Sequence, residues 1–197
     1  MNKQTIVANL QGPWTKEPDG TLKAPAVILT EGTHCGTSGC LFYPGHVLKA
    51  SADQWNGVPV TVQHPTIGQQ PVSIKHSGDI ESQFTIGYLT DARYENSKLK
   101  AIINVNAGAA RRMGPELKKI KEVSTGLFSQ NTEILSEHNA PGAAACAIQI
   151  RPDHLALLTS EKGACSWEDG CGIRANLRAN FKSGNLLDSD PLEIAKI

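Results

Sequence analysis

The sequence predicts an α+β domain dominated by β-strands, and two patterns support this class. Short apolar runs of strand length recur between residues 22 and 159, separated by segments rich in glycine, proline and asparagine. Only residues 107–121 have the length and composition of a substantial helix. With 197 residues and 40% hydrophobic content, the chain can build one domain with a sizeable core, but not two large ones.

The apolar runs predict the strands in order. Residues 58–63 alternate in polarity, which predicts a half-buried strand ending at His64. Residues 84–94 and 98–105 predict a hairpin around the turn Asn96-Ser97. Further strands are predicted at residues 22–30, 123–133, 144–151 and 154–159.

The remaining segments predict loops and helices. Residues 31–40 are rich in glycine and cysteine, and residues 65–82 contain prolines, glycines and serines, so both are expected to be loops. Residues 45–55 predict a short helix. The helix at 107–121 contains Gly114-Pro115, which should break or restart it, because proline is tolerated in a first helical turn but not in the interior.

Composition narrows the classes of function. Lys plus Arg and Asp plus Glu each total 19, so no global charge favours nucleic acid or an anionic membrane as a partner. Residues 1–12 lack the apolar core of a signal peptide, and no segment approaches membrane-spanning length. Five cysteines cannot all pair within one chain, which favours a reducing cytoplasm. No cofactor is expected.

The chain is expected to have three parts. Residues 1–24 form an N-terminal extension with the first strand, and residues 25–173 form the main domain. Residues 174–197 form a polar tail that could begin a linker or a scaffold segment.

Three residues are candidates for catalysis: His64, Ser124 and His154. A serine hydroxyl is protonated at neutral pH and becomes a nucleophile only beside a base. That base is usually an imidazole, held in the correct tautomer by a third polar group. Each candidate lies at the beginning or end of a predicted strand, where a sheet can bring distant residues together.

Several motifs occur in the order found in one family of phage proteins. They are Tyr43-Pro44, Trp55–Pro65 (WNGVPVTVQHP), Val123–Phe128 (VSTGLF), Pro152–Leu158 (PDHLALL) and Gly163–Ser166 (GACS). Over residues 25–173 the chain resembles the phage-encoded DUF2213 proteins. These in turn resemble the phage prohead proteases, which share the assemblin fold of herpesvirus capsid maturation proteases.

The resemblance implies an assemblin-like β-barrel with peripheral helices and a serine endopeptidase activity. Its substrates would be phage scaffold and major capsid proteins, and also the chain itself, inside the procapsid that assembles in the bacterial cytoplasm. Assemblins order their catalytic residues His, Ser, His, which corresponds here to His64, Ser124 and His154. Since assemblins become active by pairing, a homodimer is also implied.

Each candidate has an expected role. Ser124 is the nucleophile, His64 the general base and His154 the group that orients the base. Gly126 would let a substrate backbone approach closely and so support the oxyanion region. Asp153 is the rival third member, because a carboxylate is the more usual orienting group. Neighbours in a strand point to opposite faces, so only one of Asp153 and His154 is expected to serve.

Two alternatives remain. The first is a capsid-assembly structural protein that keeps the fold without activity. The second is a zinc-stapled binding module, because four cysteines form C-x4-C and C-x5-C pairs at Cys35, Cys40, Cys165 and Cys171. These spacings are wider than the usual zinc knuckle, so reduced cysteines in loops are the favoured interpretation. Cys146 lies in an apolar run and is expected to be a small core residue.

Overall fold

The computed structural model describes residues 13–37, 39–134 and 140–174. It is 48% strand and 19% helix, which confirms the mixed, strand-dominated class. The strands are β1 (Thr15–Lys16), β2 (Leu22–Thr30), β3 (Gly32–Gly36), β4 (Gly39–Tyr43), β5 (Pro59–Val62), β6 (Thr66–Ile67), β7 (Gln70–Pro71), β8 (Thr85–Glu95), β9 (Lys98–Val105), β10 (Glu122–Thr132), β11 (Ala145–Leu158) and β12 (Gly172–Ile173). The helices are α1 (Gly45–Ser51), α2 (Gly78–Phe84) and α3 (Ala107–Leu117), with a 3₁₀ turn at Ala52–Trp55.

Ten strands form one open sheet in the order β1-β2-β9-β8-β5-β11-β4-β3, with β10 paired to β11 and β12 paired to β2. Strands β6 and β7 form a separate small hairpin. Within the described part of the chain the pairing does not close into a barrel. The sheet is nevertheless curled, so that β12, which pairs with β2, approaches the start of β10. The N–H of Ile173 in β12 donates to the carbonyl of Lys121, directly before β10, at 2.9 Å.

The core lies against one face of the sheet. Alternate residues of β9, including Ile103, are fully buried there, and so are Leu155 and Leu157 of β11. In β11 the burial extends to every residue of 152–158, on both faces of the strand. Helix α1 and the following 3₁₀ turn add Leu48 and Trp55, both with no exposed surface. The pairing register of β10 with β11 places the candidate residues Ser124 and His154 on the opposite face from Leu155 and Leu157.

Several predictions are confirmed. Strand β2 spans the predicted residues, and α1 lies within the predicted helix at 45–55. Strands β8 and β9 form the expected hairpin. Its turn residues Asn96 and Ser97 have φ values of 51° and 57°, the left-handed conformation that a two-residue hairpin turn requires.

Two predicted loops contain regular structure. Residues 31–40 form most of the β3–β4 hairpin, in which Cys35 lies directly opposite Cys40. Residues 65–82 include the β6–β7 hairpin and the start of α2, where the Ser77 hydroxyl caps the helix by accepting the N–H of Ile80. The polar composition of these segments concealed short elements: a hairpin with a cross-strand cysteine pair and a helix with a serine cap.

The predicted break at Gly114-Pro115 is wrong, because α3 continues through it to Leu117. A proline in a helix interior costs about 3 kcal/mol through a lost hydrogen bond and a steric clash. Helix α3 keeps its path because Gly114 and Leu117 are buried on its inner side, where the helix contacts β2. Asn106 caps the helix by accepting the N–H of Ala109.

Strand β11 is one continuous strand where the sequence predicted two. On the edge away from β10, it pairs with β4 at Ala145–Cys146 and with β5 at Leu155–Leu157. Pro152 lies between these two pairings, where no N–H donor is needed on that edge, so the strand tolerates it.

The predicted domain boundary at residues 24 and 25 falls inside β2. Residues 1–12 and 175–197 lie outside the described residues, as does most of the predicted tail. None of the described helices is long and apolar enough to cross a membrane.

Candidate active site

Three neighbouring strands carry the candidate residues. Strand β11 lies between β5 and β10, with Leu155 opposite Val60 in β5 and His154 opposite Gly126 in β10. Ser124, two residues before Gly126, therefore points to the same face of the sheet as Gly126 and His154. This is the face opposite to the core residue Leu155.

The path of the chain after β5 brings His64 onto this face. Gln63 has a φ of 60°, a left-handed conformation that ends the strand and turns the chain. Its N–H still donates to the carbonyl of Leu157 in β11, at 3.0 Å, which holds the turn against the sheet. His64 then lies beside His154, with His64 Nδ1 2.7 Å from His154 Nε2 and the two rings edge-on at 75°. The two predicted histidines therefore meet.

Asp153 and His154 are in direct contact, so the expectation that their side chains point to opposite faces is wrong. His154 Nδ1 lies 2.8 Å from Asp153 Oδ2. The cause is a β-bulge, in which the pairing shifts from Gly126 opposite His154 to Leu127 opposite Pro152. Asp153 is the extra residue and has no partner of its own, so the strict alternation of side chains fails at this point.

Two residues that the sequence did not single out hold Asp153 in place. The Ser73 hydroxyl donates to Oδ1 at 2.5 Å, and the backbone N–H of Ile74 donates to Oδ2 at 2.9 Å. Both belong to the predicted loop at 65–82, where a serine and a backbone amide carry no recognisable sequence signal. Burial alone would raise the pKa of Asp153, but the hydrogen bonds from His154, Ser73 and Ile74 outweigh it and lower the pKa below its ordinary value.

These partners assign the protons along the chain of hydrogen bonds. The carboxylate of Asp153 can only accept, so His154 carries its proton on Nδ1. When His154 carries only this proton, its Nε2 is an acceptor, and His64 donates to it from Nδ1. The remaining nitrogen, Nε2 of His64, keeps an unshared electron pair, which is what a general base requires.

Burial, together with the neighbouring His154, lowers the pKa of His64 from 6.5 to about 4. His64 is therefore neutral in the folded protein at neutral pH. Asp153 and His154 are almost completely buried, with 3% and 4% of their surfaces exposed. The carboxylate of Asp153 and the imidazoles of His154 and His64 therefore form a hydrogen-bonded line that ends at the unprotonated Nε2 of His64.

Gly126 is required by the position of His154. A Cβ atom at residue 126 would lie 2.7 Å from His154 Nε2 and closer still to Cε1 and Nδ1 of the same ring. The imidazole therefore occupies the space that any side chain at this position would need. The sequence suggested a role for Gly126 in substrate approach, whereas its visible contact is with the histidine.

Ser124 is half-buried on β10, on the face that carries the histidines. Its hydroxyl makes no hydrogen bond to His64, or to any other residue, within the described part of the chain. The structure thus joins His64, His154 and Asp153 by direct contacts, whereas strand register places Ser124 on the same face of the sheet as His154.

The cysteine predictions need correction. Cys35 is bonded to Cys40 and Cys165 to Cys171, so these four thiols are neither reduced nor available as zinc ligands. The cysteines therefore give no support to the expected reducing compartment. No cluster of three or more metal-ligating side chains occurs among the described residues. Cys146 is free and 2% exposed, which confirms it as a core residue.

Comparisons of the chain with protein-family profiles, with curated proteins and with solved structures gave no match.

The lowered pKa of His64 predicts that stability falls in mild acid. An unfolded histidine titrates near 6.5, whereas folded His64 titrates at about 4. Between these values the unfolded chain binds a proton that the folded protein does not, so the contribution is complete above 6.5 and is lost as the pH falls towards 4. The wild type should therefore lose more thermal stability than His64→Gln between about pH 7 and about pH 4.5. Equal losses in differential scanning calorimetry would contradict this.

Proposed function

We propose that this protein is a serine endopeptidase in which Ser124 is the nucleophile and His64 the general base. The observation that supports this most strongly is the hydrogen-bonded line from Asp153 through His154 to His64. It supplies an oriented, neutral imidazole with a free Nε2 on the face of the sheet towards which Ser124 points. The order His, Ser, His along the chain is the one implied by the resemblance to the DUF2213 and prohead-protease families.

The proposed reaction has two halves. Ser124 Oγ attacks the peptide carbonyl while His64 Nε2 takes the hydroxyl proton, and the same proton is then given to the departing amine. An acyl-enzyme remains on Ser124; water deprotonated by His64 attacks its carbonyl, and the proton then returns from His64 to Ser124 Oγ as the carboxylic acid is released. His154 accepts a hydrogen bond from the charged His64, and Asp153, on the other side of His154, stabilises the positive charge.

An exposed strand edge offers a place for the substrate. From Ser124 to Thr132, β10 forms backbone hydrogen bonds only with β11 among the described residues. Its other edge can pair with an extended peptide, a common way in which proteins bind unfolded segments. On the face of Ser124, such a peptide would meet Phe128, which is 49% exposed and lies under the guanidinium of Arg151.

The resemblance suggests the biological setting. We propose that the substrates are phage scaffold and major capsid proteins, with self-cleavage, inside a procapsid in the bacterial cytoplasm. We further propose that the curled sheet, bridged by the hydrogen bond from Ile173 to Lys121, represents an assemblin-like barrel and that the active form is a homodimer.

A covalent probe tests the proposal without knowledge of the substrate. Folded protein is treated with a fluorophosphonate, which labels activated serines, and the modified peptide is identified by mass spectrometry. Ser124 should be labelled and Ser129, on the other face of the same strand, should not. Heat-denatured protein serves as the control and should take up no label. Absence of label on Ser124 across a concentration series that spans dimerisation would contradict the proposal.

One observation favours a second candidate, a capsid-assembly structural protein without activity. The Ser124 hydroxyl does not contact His64 in the described residues, although catalytic contacts often tighten only when substrate binds. A protein of this kind would retain the fold, leave Ser124 unlabelled and still bind capsid or scaffold protein.

A further inference from the structure

Both ends of the segment from His64 to Ile74 are hydrogen-bonded to the neighbouring residues Asp153 and His154 of β11. At its start, His64 binds His154, and at its end Ser73 and Ile74 bind Asp153. Between them, the β6–β7 hairpin projects with exposed side chains on every residue of both strands. The hairpin is closed at its base by a hydrogen bond from Val72 N–H to the carbonyl of Pro65, at 3.0 Å.

The Ser73 hydroxyl has a defined direction. It accepts the backbone N–H of Lys75 at 3.1 Å, so its own proton is free to point at Asp153 Oδ1. On the other oxygen, Oδ2 accepts both the Ile74 N–H and His154 Nδ1. With donors on both oxygens, the carboxyl group is held as a carboxylate and cannot rotate without breaking three hydrogen bonds.

We propose that Ser73 and the Ile74 N–H are positioning groups, which set the tautomers of His154 and His64 by anchoring Asp153. A carboxylate fixed in this orientation requires a proton on His154 Nδ1. A His154 ring that carries only this proton accepts at Nε2, so the proton of His64 lies on Nδ1. Ser73 has no hydrogen bond to the nucleophile or to the base. It acts through Asp153 and His154, and in this way it determines which nitrogen of His64 is unprotonated. The catalytic consequence rests on the proposed function; the tautomers do not.

Histidine tautomers can be measured directly, whether or not the protein is an enzyme. In ¹⁵N-labelled protein, long-range proton–nitrogen correlation spectra distinguish a protonated from a bare imidazole nitrogen. His64 and His154 are both expected in the Nδ1–H form, which is the less common tautomer of free histidine. A proton on Nε2 of either ring in the wild type would overturn the proposal.

The variants isolate the role of Ser73. Ser73→Ala should give a mixture of tautomers at His154 and His64, and Ser73→Thr, which keeps the hydroxyl, should restore the wild-type pattern. Ser82→Ala removes an exposed hydroxyl that binds only the carbonyl of Asp79, and it should change nothing. Spectra of Ser73→Ala that match those of Ser82→Ala would overturn the proposal.

Activity is measured separately on the same variants. Ser73→Ala should lower kcat about tenfold with little change in KM, because it alters the base and not the substrate contacts. If the wild type proves inactive but shows the expected tautomers and their dependence on Ser73, the proposed function fails and the positioning role stands. If the wild type is active and the tautomers are insensitive to Ser73, the reverse holds.

Discussion

Alanine at Ser124 or at His64 is expected to reduce hydrolysis about 10⁴- to 10⁶-fold, and alanine at both should reduce it no further. The reason is that, in the proposed mechanism, the two side chains act as one unit. Without the hydroxyl, His64 has no proton to take, and without the imidazole, the hydroxyl is not activated. Each single variant therefore removes the whole contribution of the pair.

Initial rates with p-nitrophenyl acetate and cleavage of a mixed peptide library, followed by mass spectrometry, provide the measurement. Ser129→Ala and His46→Ala are matched controls, because Ser129 points to the other face of β10 and His46 is an exposed residue of α1. Losses that multiply in the double variant would show that Ser124 and His64 act independently, and the proposed pairing would then be wrong.

Gly126→Ala is expected to reduce hydrolysis at least about 100-fold, since a displacement of about 1 Å in an active site can cost that much. The new Cβ would overlap with the ring of His154. The ring cannot move aside freely, because His64 and Asp153 hold its two nitrogens. The overlap should also destabilise the fold by about 1–3 kcal/mol, the usual range for overpacking.

Gly78→Ala is the matched control for this experiment. Gly78 begins α2, and a Cβ at that position would meet no atom within 4 Å. It should leave activity unchanged and stability equal or slightly higher, because alanine is the better helix former. Chemical denaturation separates the two effects of Gly126→Ala. Full activity in a folded Gly126→Ala protein would mean that the position of His154 is irrelevant to the reaction.

The fold could be predicted where local sequence determines local structure. The turn at Asn96-Ser97 is an example, because few residues adopt the left-handed conformation that a two-residue hairpin needs, and the flanking strands carry alternating apolar residues. Helix α3 shows the limit. Its local signal, Gly114-Pro115, predicted a break, but burial against β2 keeps the helix intact.

The site could be predicted only in part, because several of its contacts depend on residues distant in sequence. His64 and His154 stand out as side chains, and their meeting was expected. The bulge that places Asp153 beside His154 depends on the register of two strands distant in sequence. Ser73 contributes a hydroxyl and Ile74 a backbone N–H, and neither group marks its role in the sequence.

The two disulfides illustrate a different difficulty. An odd number of cysteines indicated thiols, yet pairing requires only that two residues come close, as Cys35 and Cys40 do across the β3–β4 hairpin. The predicted loop at 31–40 concealed that hairpin, so nothing in the sequence indicated that Cys35 and Cys40 lie opposite each other.

The bulge at Asp153 also limits how the length of this chain can vary. Deleting Pro152 would restore regular alternation and separate the carboxylate of Asp153 from the imidazole of His154, although both side chains would be kept. Residues 66–71 form a surface hairpin closed at its base, where added or missing residues would leave the site unchanged. Alignments that seek distant relatives should therefore permit gaps between His64 and Ser73 and forbid them between Pro152 and His154.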